Sequence, residues 1–285
     1  MCCAIAVRHG RLALCRNLDL EYSITRELIS FPRGEKISLG VMGDISSRYR
    51  FFGMGIRRDG DGLPLMFDGV NERGLAVAAL NFPSCAYYAP TRLLKPPHSG
   101  TKPHLIPSFA LIPYLLSRCQ SVDECYSALS RAVICDEAAS PKHPPSPLHW
   151  MIADGESTLV VEPTKEGLTL HRDKTDVLTN SPSLPDQLCA LANPTPVSDA
   201  KSTEYSSQSR FARCHRLLSA ATAEGAPPLS DGDLLRLICC SAIPYGLEPK
   251  PRGCLYTRYS SVMLLDRPEY LLLDYEAPRL ERHLL

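Results

Sequence analysis

The chain opens Met1-Cys2-Cys3-Ala4-Ile5-Ala6-Val7-Arg8-His9-Gly10-Arg11-Leu12-Ala13-Leu14-Cys15-Arg16-Asn17-Leu18-Asp19. Two apolar runs, residues 3–8 and 12–18, flank a tight glycine-bearing turn, which predicts a β-hairpin. If residues 8 and 11 pair, Cys2 lies opposite Asn17. A different loop length puts it opposite Arg16 or Leu18, and a one-residue slip turns every side chain to the other face. In each register Arg16-Asn17-Leu18-Asp19 lies beside the start of the chain. A nearby cation favours a thiolate, and a carboxylate can hold an α-amino group by a charge-assisted hydrogen bond. The small Cys2 side chain permits removal of Met1. Cys2 would then carry a thiol of ordinary pKa about 8.5 beside a free amine of about 7.7–8.0. One residue would supply both nucleophile and base.

Beyond the hairpin, strands are expected at Lys36 to Met42, Phe51 to Ile56, Pro64 to Phe67 and Leu75 to Phe82. They are separated by the turn clusters Asp59-Gly60-Asp61-Gly62 and Asn71-Glu72-Arg73-Gly74. Tyr87 to Ile106 reads as a long Pro-rich connection. A helix begins near Pro107 and runs through Phe109 to Ser117. Ser121-Val122-Asp123-Glu124 has capping-box form and should open a second helix with Cys125, Leu129 and Val133 on one face. After a Pro-rich loop from Ser140 to Pro147, strands resume at Leu148 to Ala153, Thr158 to Glu162, Gly167 to His171 and Asp176 to Thr179. Asp154-Gly155 marks a hairpin between the first two. Asn193 to Ser209 reads as loop, Arg210 to Ala223 and Ser230 to Ser241 as helices, Leu255 to Asp266 and Tyr270 to Tyr275 as strands. Strands, helices, strands, helices, strands in that order suggest antiparallel sheets with helices packed as layers.

The chain has 285 residues, with 31 Lys plus Arg against 31 Asp plus Glu, so bulk charge offers nothing to a nucleic acid. Length alone allows two domains or one large one. Ordinary apolar content excludes a mainly disordered chain. No apolar run is long enough to span a bilayer: Leu234 to Ile243 comes nearest, and Arg236 interrupts it. The N-terminus lacks the basic-then-apolar form of a secretory signal, so a cytoplasmic location is expected. The 12 cysteines should then be mostly reduced and buried. No C-x-x-C spacing suggests a metal site. G-x-S-x-G, P-loop and H-E-x-x-H motifs are also absent, and Gly53-Met54-Gly55 does not complete a dinucleotide fingerprint.

Seven stretches together resemble the choloylglycine hydrolases, that is, the bile salt hydrolases and penicillin V acylases, in family order. They are Cys2 with Arg16-Asn17-Leu18-Asp19-Leu20-Glu21-Tyr22-Ser23; Gly69-Val70-Asn71-Glu72-Arg73-Gly74-Leu75 running into Leu80-Asn81-Phe82-Pro83; and Leu148-His149-Trp150-Met151-Ile152-Ala153-Asp154. Val161-Glu162-Pro163-Thr164, Val177-Leu178-Thr179-Asn180-Ser181-Pro182, Ser209-Arg210-Phe211-Ala212-Arg213 and Tyr259-Ser260-Ser261-Val262-Met263 complete the set.

The resemblance implies an α+β fold, the four-layer αββα sandwich of N-terminal-nucleophile hydrolases, with two stacked, mainly antiparallel sheets flanked by helices. Residues 2–285 would form one domain. It implies that Cys2 attacks an amide carbonyl, that Asp19 orients its amine and that Arg16 sits beside the sulfur. Asn81 and Asn180 match the oxyanion region and Arg210 the last arginine of the site. Leu18 and Phe67 are candidates for an apolar wall against a steroid. No metal or organic cofactor is implied. Asparagine at 81 resembles the bile salt hydrolases, whereas penicillin-preferring members tend to have tyrosine there. The substrate expected is therefore a glycine- or taurine-conjugated bile salt. Penicillin V or another N-acyl amide, such as an acyl-homoserine lactone, is the alternative, and an inactive binder of amphipathic ligands a third reading. A homo-oligomer, dimer or tetramer, is implied. The stretch between Asn180 and Arg210 is shorter than the family's, however, and that extension carries the tetramer contact. Cys3 stands where bile salt hydrolases commonly have threonine, so oxidation of the adjacent Cys2 and Cys3 thiols is an expectation.

Overall fold

A computed structural model describes residues 1–58, 62–91, 104–193, 205–250 and 253–285. Most of its strands lie in two large sheets. One has seven strands. In order they are Val177–Leu178, Cys2–His9, Arg11–Leu20, Gly253–Leu264, Glu269–Asp274 and Arg279–Leu284, with Glu248–Lys250 paired onto the long strand Gly253–Leu264. The other has eight. They run Gly167–Asp173, Thr158–Thr164, Leu148–Ala153, Ala76–Asn81, Asp68–Asn71, Phe51–Ile56 and Glu27–Phe31, with Leu65–Met66 on the side. The pairings within both are antiparallel.

Alternation along the strands explains the layering. In the eight-stranded sheet, Met151, Ala153, Val160, Ala76, Ala78 and Leu80 join one apolar cluster, while Trp150, Ile152, Leu159, Val161, Val77 and Ala79 join another. Successive side chains point to opposite faces, so each face has its own core. The second cluster is closed by the helices Leu111–Arg118 and Val122–Leu129. The first faces the seven-stranded sheet, and on that sheet's far side it takes in Phe211, Cys214, Leu234 and Ile238 from the helices Ser207–Ala221 and Asp231–Cys239. The result is helix, sheet, sheet, helix, the expected αββα sandwich. Because both of its faces are covered, the strand Cys2–His9 is buried along its first six residues. That is why its sequence is continuously apolar rather than alternating.

The opening hairpin forms, and His9 pairs with Arg11 across Gly10 alone, so of the three registers left open Cys2 takes the one opposite Leu18. Gly10 permits the one-residue turn: its φ is +80°, and a Cβ there would stand 2.5 Å from Leu229 N. Other boundaries also differ from expectation. The run Lys36 to Met42 is split into a strand Lys36–Ser38 and a 3₁₀ turn Gly40–Met42, because Gly40 has φ +66°. The second helix stops at Leu129. Val133 lies instead in a strand, Ala132–Cys135, paired in parallel with His104–Pro107. The expected turn at Asn71-Glu72-Arg73-Gly74 forms, but the strand Asp68–Asn71 that leads into it, the helix Leu184–Ala192 and the strands Glu27–Phe31 and Arg279–Leu284 are not expected from the sequence. Parts of the turn at 59–62, of the Tyr87 to Ile106 connection and of the Asn193 to Ser209 loop lie outside the described residues.

Candidate active site

The six candidate residues come from the first two strands, the end of Ala76–Asn81, the segment after Val177–Leu178 and the helix Ser207–Ala221, and they meet around the start of the first strand. Cys2 starts the first strand, 3% exposed, and shares a sheet face with its partner Leu18 and with Arg16, two pairs further along. Arg16 Nη2 lies 3.6 Å from Cys2 Sγ and donates to the Ala79 carbonyl at 2.8 Å. Its Nη1 donates to Tyr259 Oη at 2.8 Å and to Asp68 Oδ2 at 3.1 Å. Burial works against the guanidinium charge, but Tyr259, Cys2, Asp68 and Tyr270 outweigh it and hold the Arg16 pKa above its ordinary value. Sequence reasoning missed Asp68, Tyr259 and Tyr270. Tyr259 Oη donates to Asp68 Oδ2 at 2.9 Å and Tyr270 Oη to Asp68 Oδ1 at 2.7 Å. Asp68 belongs to the eight-stranded sheet and its arginine and tyrosines to the other, so the carboxylate ties the two sheets together beneath the cysteine. The available signal was a lone acid directly before the Gly69-Val70-Asn71 block.

Asp19 is fully buried, accepting from Thr257 Oγ1 at 2.6 Å through Oδ1. Its other oxygen, Oδ2, is buried with no hydrogen-bond partner and lies 3.6 Å from Arg210 Nη1. A buried carboxylate oxygen is costly to leave unpaired. Arg210, also fully buried, comes from the first turn of the helix Ser207–Ala221, whose start is capped by Ser206 Oγ accepting from Ser209 N at 3.2 Å. Its Nη1 donates to the Cys2 carbonyl at 2.6 Å, its Nη2 to Asn180 Oδ1 at 2.8 Å and its Nε to the Tyr205 carbonyl at 3.0 Å. Asn180 Oδ1 also accepts from Cys2 N at 2.8 Å, and Asn180 Nδ2 donates to the Asn81 carbonyl at 2.6 Å. The Asn81 side chain is half-buried and makes no hydrogen bond among the described residues. Met1 continues the ladder opposite Asp19: its amino group donates to the Asp19 carbonyl at 2.7 Å, and Asp19 N to the Met1 carbonyl at 3.0 Å.

Leu18 is 3% exposed and packed in the core between the sheets. Phe67 is half-buried, with the Arg16 guanidinium 5.9 Å from its ring centre. Cys3 points to the opposite face from Cys2, as alternation requires. Its Sγ lies 3.5 Å from Cys214 Sγ, so the thiol it meets belongs to the helix layer and not to Cys2. That corrects the expectation of an oxidised Cys2–Cys3 pair. A hydrogen bond to Cys214, then burial, pushes the Cys3 thiol well up. Cys214 is pushed up to about 12, first by its contact with Cys240. No group of three or more metal-ligating side chains that could hold an ion occurs among the described residues. None of their helices is long and apolar enough to cross a membrane.

Two stacked antiparallel sheets, flanked by helices and with a cysteine at the first strand's open end, define the N-terminal-nucleophile hydrolase fold. The chain belongs to the choloylglycine hydrolase family of linear amide C-N hydrolases, whose family model matches residues 2–227. A bile salt hydrolase/transferase of Lactiplantibacillus plantarum is 33% identical over 193 residues, 68% of this chain and 56% of that protein. Another, from Clostridium perfringens, is 36% identical over 188 residues, 64% of this chain and 54% of that protein. These matches thus span just over half the length of the curated relatives. The crystal structure of a mutant conjugated bile acid hydrolase from C. perfringens superposes with a TM-score of 0.88 at 26% identity, covering 99% of this chain and 92% of that one. Penicillin V acylase from Agrobacterium tumefaciens, at 21% identity and a TM-score of 0.73 over 99% of this chain and 85% of that one, shares the fold.

Proposed function

We propose that this chain hydrolyses the amide bond of glycine- or taurine-conjugated bile salts, with Cys2 as nucleophile once Met1 is removed. The observation that carries this reading is Asp19 Oδ2, buried without a hydrogen-bond partner and 3.6 Å from Arg210 Nη1, which itself donates to the Cys2 carbonyl. A peptide nitrogen at Cys2 has one hydrogen, already given to Asn180 Oδ1. A free amine has further hydrogens, and Asp19 Oδ2 is an acceptor still open to them.

In this reading the Cys2 amine takes the thiol proton, and Sγ, beside the Arg16 cation, attacks the amide carbonyl carbon. Negative charge moves to the carbonyl oxygen, in the region of Asn81 and Asn180. The tetrahedral intermediate collapses, the C–N bond breaks, and the leaving glycine or taurine nitrogen takes the proton back from the Cys2 amine. Water, deprotonated by the same amine, then cleaves the thioester and releases the bile acid. Arg210 keeps the Cys2 carbonyl and Asn180 in fixed relation through two hydrogen bonds. The reaction needs no metal or organic cofactor. The bile salt hydrolase relatives at 33% and 36% identity and asparagine at position 81 support the bile salt assignment.

Amine release from glycocholate and taurocholate under reducing conditions tests this, with Cys2→Ser in parallel and the intact mass of both recorded. The expected result is release by the wild type only, with the Met1 mass missing. No release from a processed, reduced wild type refutes the bile salt assignment. Penicillin V and an N-acyl-homoserine lactone, assayed on the same sample, then identify another amide if Cys2 acts on one.

A further inference from the structure

His149 and Glu162 lie outside the cysteine, arginine and aspartate cluster, yet both are buried, at 0% and 1% exposure. We infer that His149, backed by Glu162, is a positioning residue that holds Asn180 against Asn81 across the gap between the sheets. This rests on the cysteine hydrolase reading above and adds the means by which its oxyanion region is kept in shape.

The argument is geometric. His149 follows Leu148, which pairs directly with Asn81 in the eight-stranded sheet. Its ring stacks on Phe82, the residue after Asn81, with centres 4.2 Å apart and planes 5° from parallel. The ring plane is thereby set by the segment that carries Asn81. On the other side, His149 Nε2 meets the Thr179 carbonyl at 2.8 Å, one residue before Asn180. One rigid side chain therefore spans from the Asn81 segment to the Asn180 segment. Its Nδ1 meets Glu162 Oε1 at 3.2 Å. Glu162 Oε1 accepts from Leu184 N at 3.0 Å, and Oε2 meets His171 Nε2 at 3.2 Å. Burial works against the Glu162 charge, but the bonds from His149, His171 and Leu184 win and hold its carboxyl down at about 2. The carboxylate fixes the rotation of the His149 ring, as a carboxylate does for other functional histidines.

The rest of the Asn180 segment is equally constrained. Gln187 Nε2 donates to the Asn180 carbonyl at 2.7 Å, Ser207 Oγ accepts from Asn180 N at 2.9 Å, and Ser181 Oγ donates to the Pro83 carbonyl at 2.5 Å. The His149 bond is the one that reaches this segment from a fully buried ring.

The role can be separated from a general structural one, because only carbonyl chemistry uses the oxyanion region. Alkylation of Cys2 by iodoacetamide is a displacement at carbon with no oxyanion, whereas acylation by p-nitrophenyl acetate creates one. His149→Phe keeps the ring stack and removes both nitrogens; Glu162→Gln keeps His149 and removes its anionic anchor. The expected result is ester acylation slowed roughly 10–100-fold in His149→Phe and about tenfold in Glu162→Gln. Alkylation of Cys2, read by mass spectrometry, should stay within about twofold, and on glycocholate the loss should fall on kcat with KM little changed. Acylation within about twofold of wild type in both variants overturns the inference. So does a proportional loss of alkylation and acylation, which marks a merely structural role. If His149→Phe fails to fold, Glu162→Gln decides by the same two rates. Absence of glycocholate turnover in the wild type strikes only the substrate assignment, since the ester still reads Cys2. Absence of Cys2 acylation by the ester strikes the cysteine reading and this inference together.

Discussion

Asp68→Asn should be among the most damaging isosteric changes in the molecule. Asp68 is fully buried and sits amid five donors. Oδ2 faces Arg16 Nη1 at 3.1 Å, Tyr259 Oη at 2.9 Å and Ser261 Oγ at 3.5 Å, and Oδ1 faces Tyr270 Oη at 2.7 Å and Met54 N at 3.3 Å. An asparagine offers one oxygen and one NH₂ group. With NH₂ in the Oδ2 position it points at the Arg16 guanidinium; in the Oδ1 position it points at the Met54 amide. Neither can accept, so both orientations set donor against donor. The change also leaves the buried Arg16 cation, whose Nε is already unpartnered, without its anion.

Breaking a buried ion pair from one side costs about 3–5 kcal/mol. For a chain of this size that corresponds to a fall in Tm of roughly 5–8 °C. Urea unfolding followed by circular dichroism measures the free energy, and Arg16→Met/Asp68→Asn supplies the control. Removing both charges eliminates the unpaired one, so the double variant should lose at least about 2 kcal/mol less than the two single losses added. Tyr259→Phe and Tyr270→Phe, each deleting a bond to the carboxylate, should cost about 1.5–3 kcal/mol apiece. An Asp68→Asn variant within about 1 kcal/mol of wild type, or strict additivity in the double variant, would refute the description of Asp68 as the counter-ion of Arg16.

Asn180→Ala should lower kcat for amide hydrolysis by about 10²–10³-fold, the usual loss for one oxyanion donor, as steady-state amine release will show. Glu162→Gln should also change the acid stability profile. The Glu162 pKa is depressed from 4.5 to about 2 on folding. Its stabilisation, about 3 kcal/mol at neutral pH, is therefore present above the unfolded value and lost as pH falls through the folded one. Urea midpoints of variant and wild type should differ at pH 7 and converge toward pH 2; a gap that persists at the low end contradicts the assignment. Finally, Cys214, held up at about 12 against an ordinary 9.0, should carry about a thousandfold less thiolate near pH 8 than a free thiol. Peptide mapping after brief iodoacetamide treatment should find exposed Cys189 alkylated and Cys3 and Cys214 untouched.

Much of the sandwich was legible because its strands are local. The opening hairpin, the hairpin at Asp154-Gly155 and the strand Gly253–Leu264 carry their own apolar runs and turns. What failed was punctuation that depends on backbone conformation or on a distant partner. Gly40 divides a run that looks continuous, and Val133 belongs to a strand because His104–Pro107 lies beside it. The hairpin register, open between Asn17, Arg16 and Leu18 in the sequence, is set at Leu18 by a turn made of a single glycine. The site showed the same division. The resemblance located Cys2, Arg16, Asp19, Asn81, Asn180 and Arg210, and the fold brings all six together. Asp68 stayed hidden because its partner Arg16 lies 52 residues away in the chain and in the other sheet.

The hidden residues bear most directly on function. Between two sheets, apolar packing generally stabilises as well as a buried ion pair or better. Yet there Arg16, Asp68, Tyr259 and Tyr270 form a connected polar set, with Asp19, Asn180 and Arg210 a second one at the start of the first strand. Stability alone gives no reason for either. Two atoms do not fit a purely structural account: Asp19 Oδ2 has no hydrogen-bond partner, and Arg16 Nη2 reaches toward the Cys2 sulfur. Arg16 meets the Cys2 thiol directly, and Arg210, the cation beside Asp19 Oδ2, donates to the Cys2 carbonyl. A protein that used this region only to hold two sheets together would have no use for a buried cation set against the thiol at the end of its first strand.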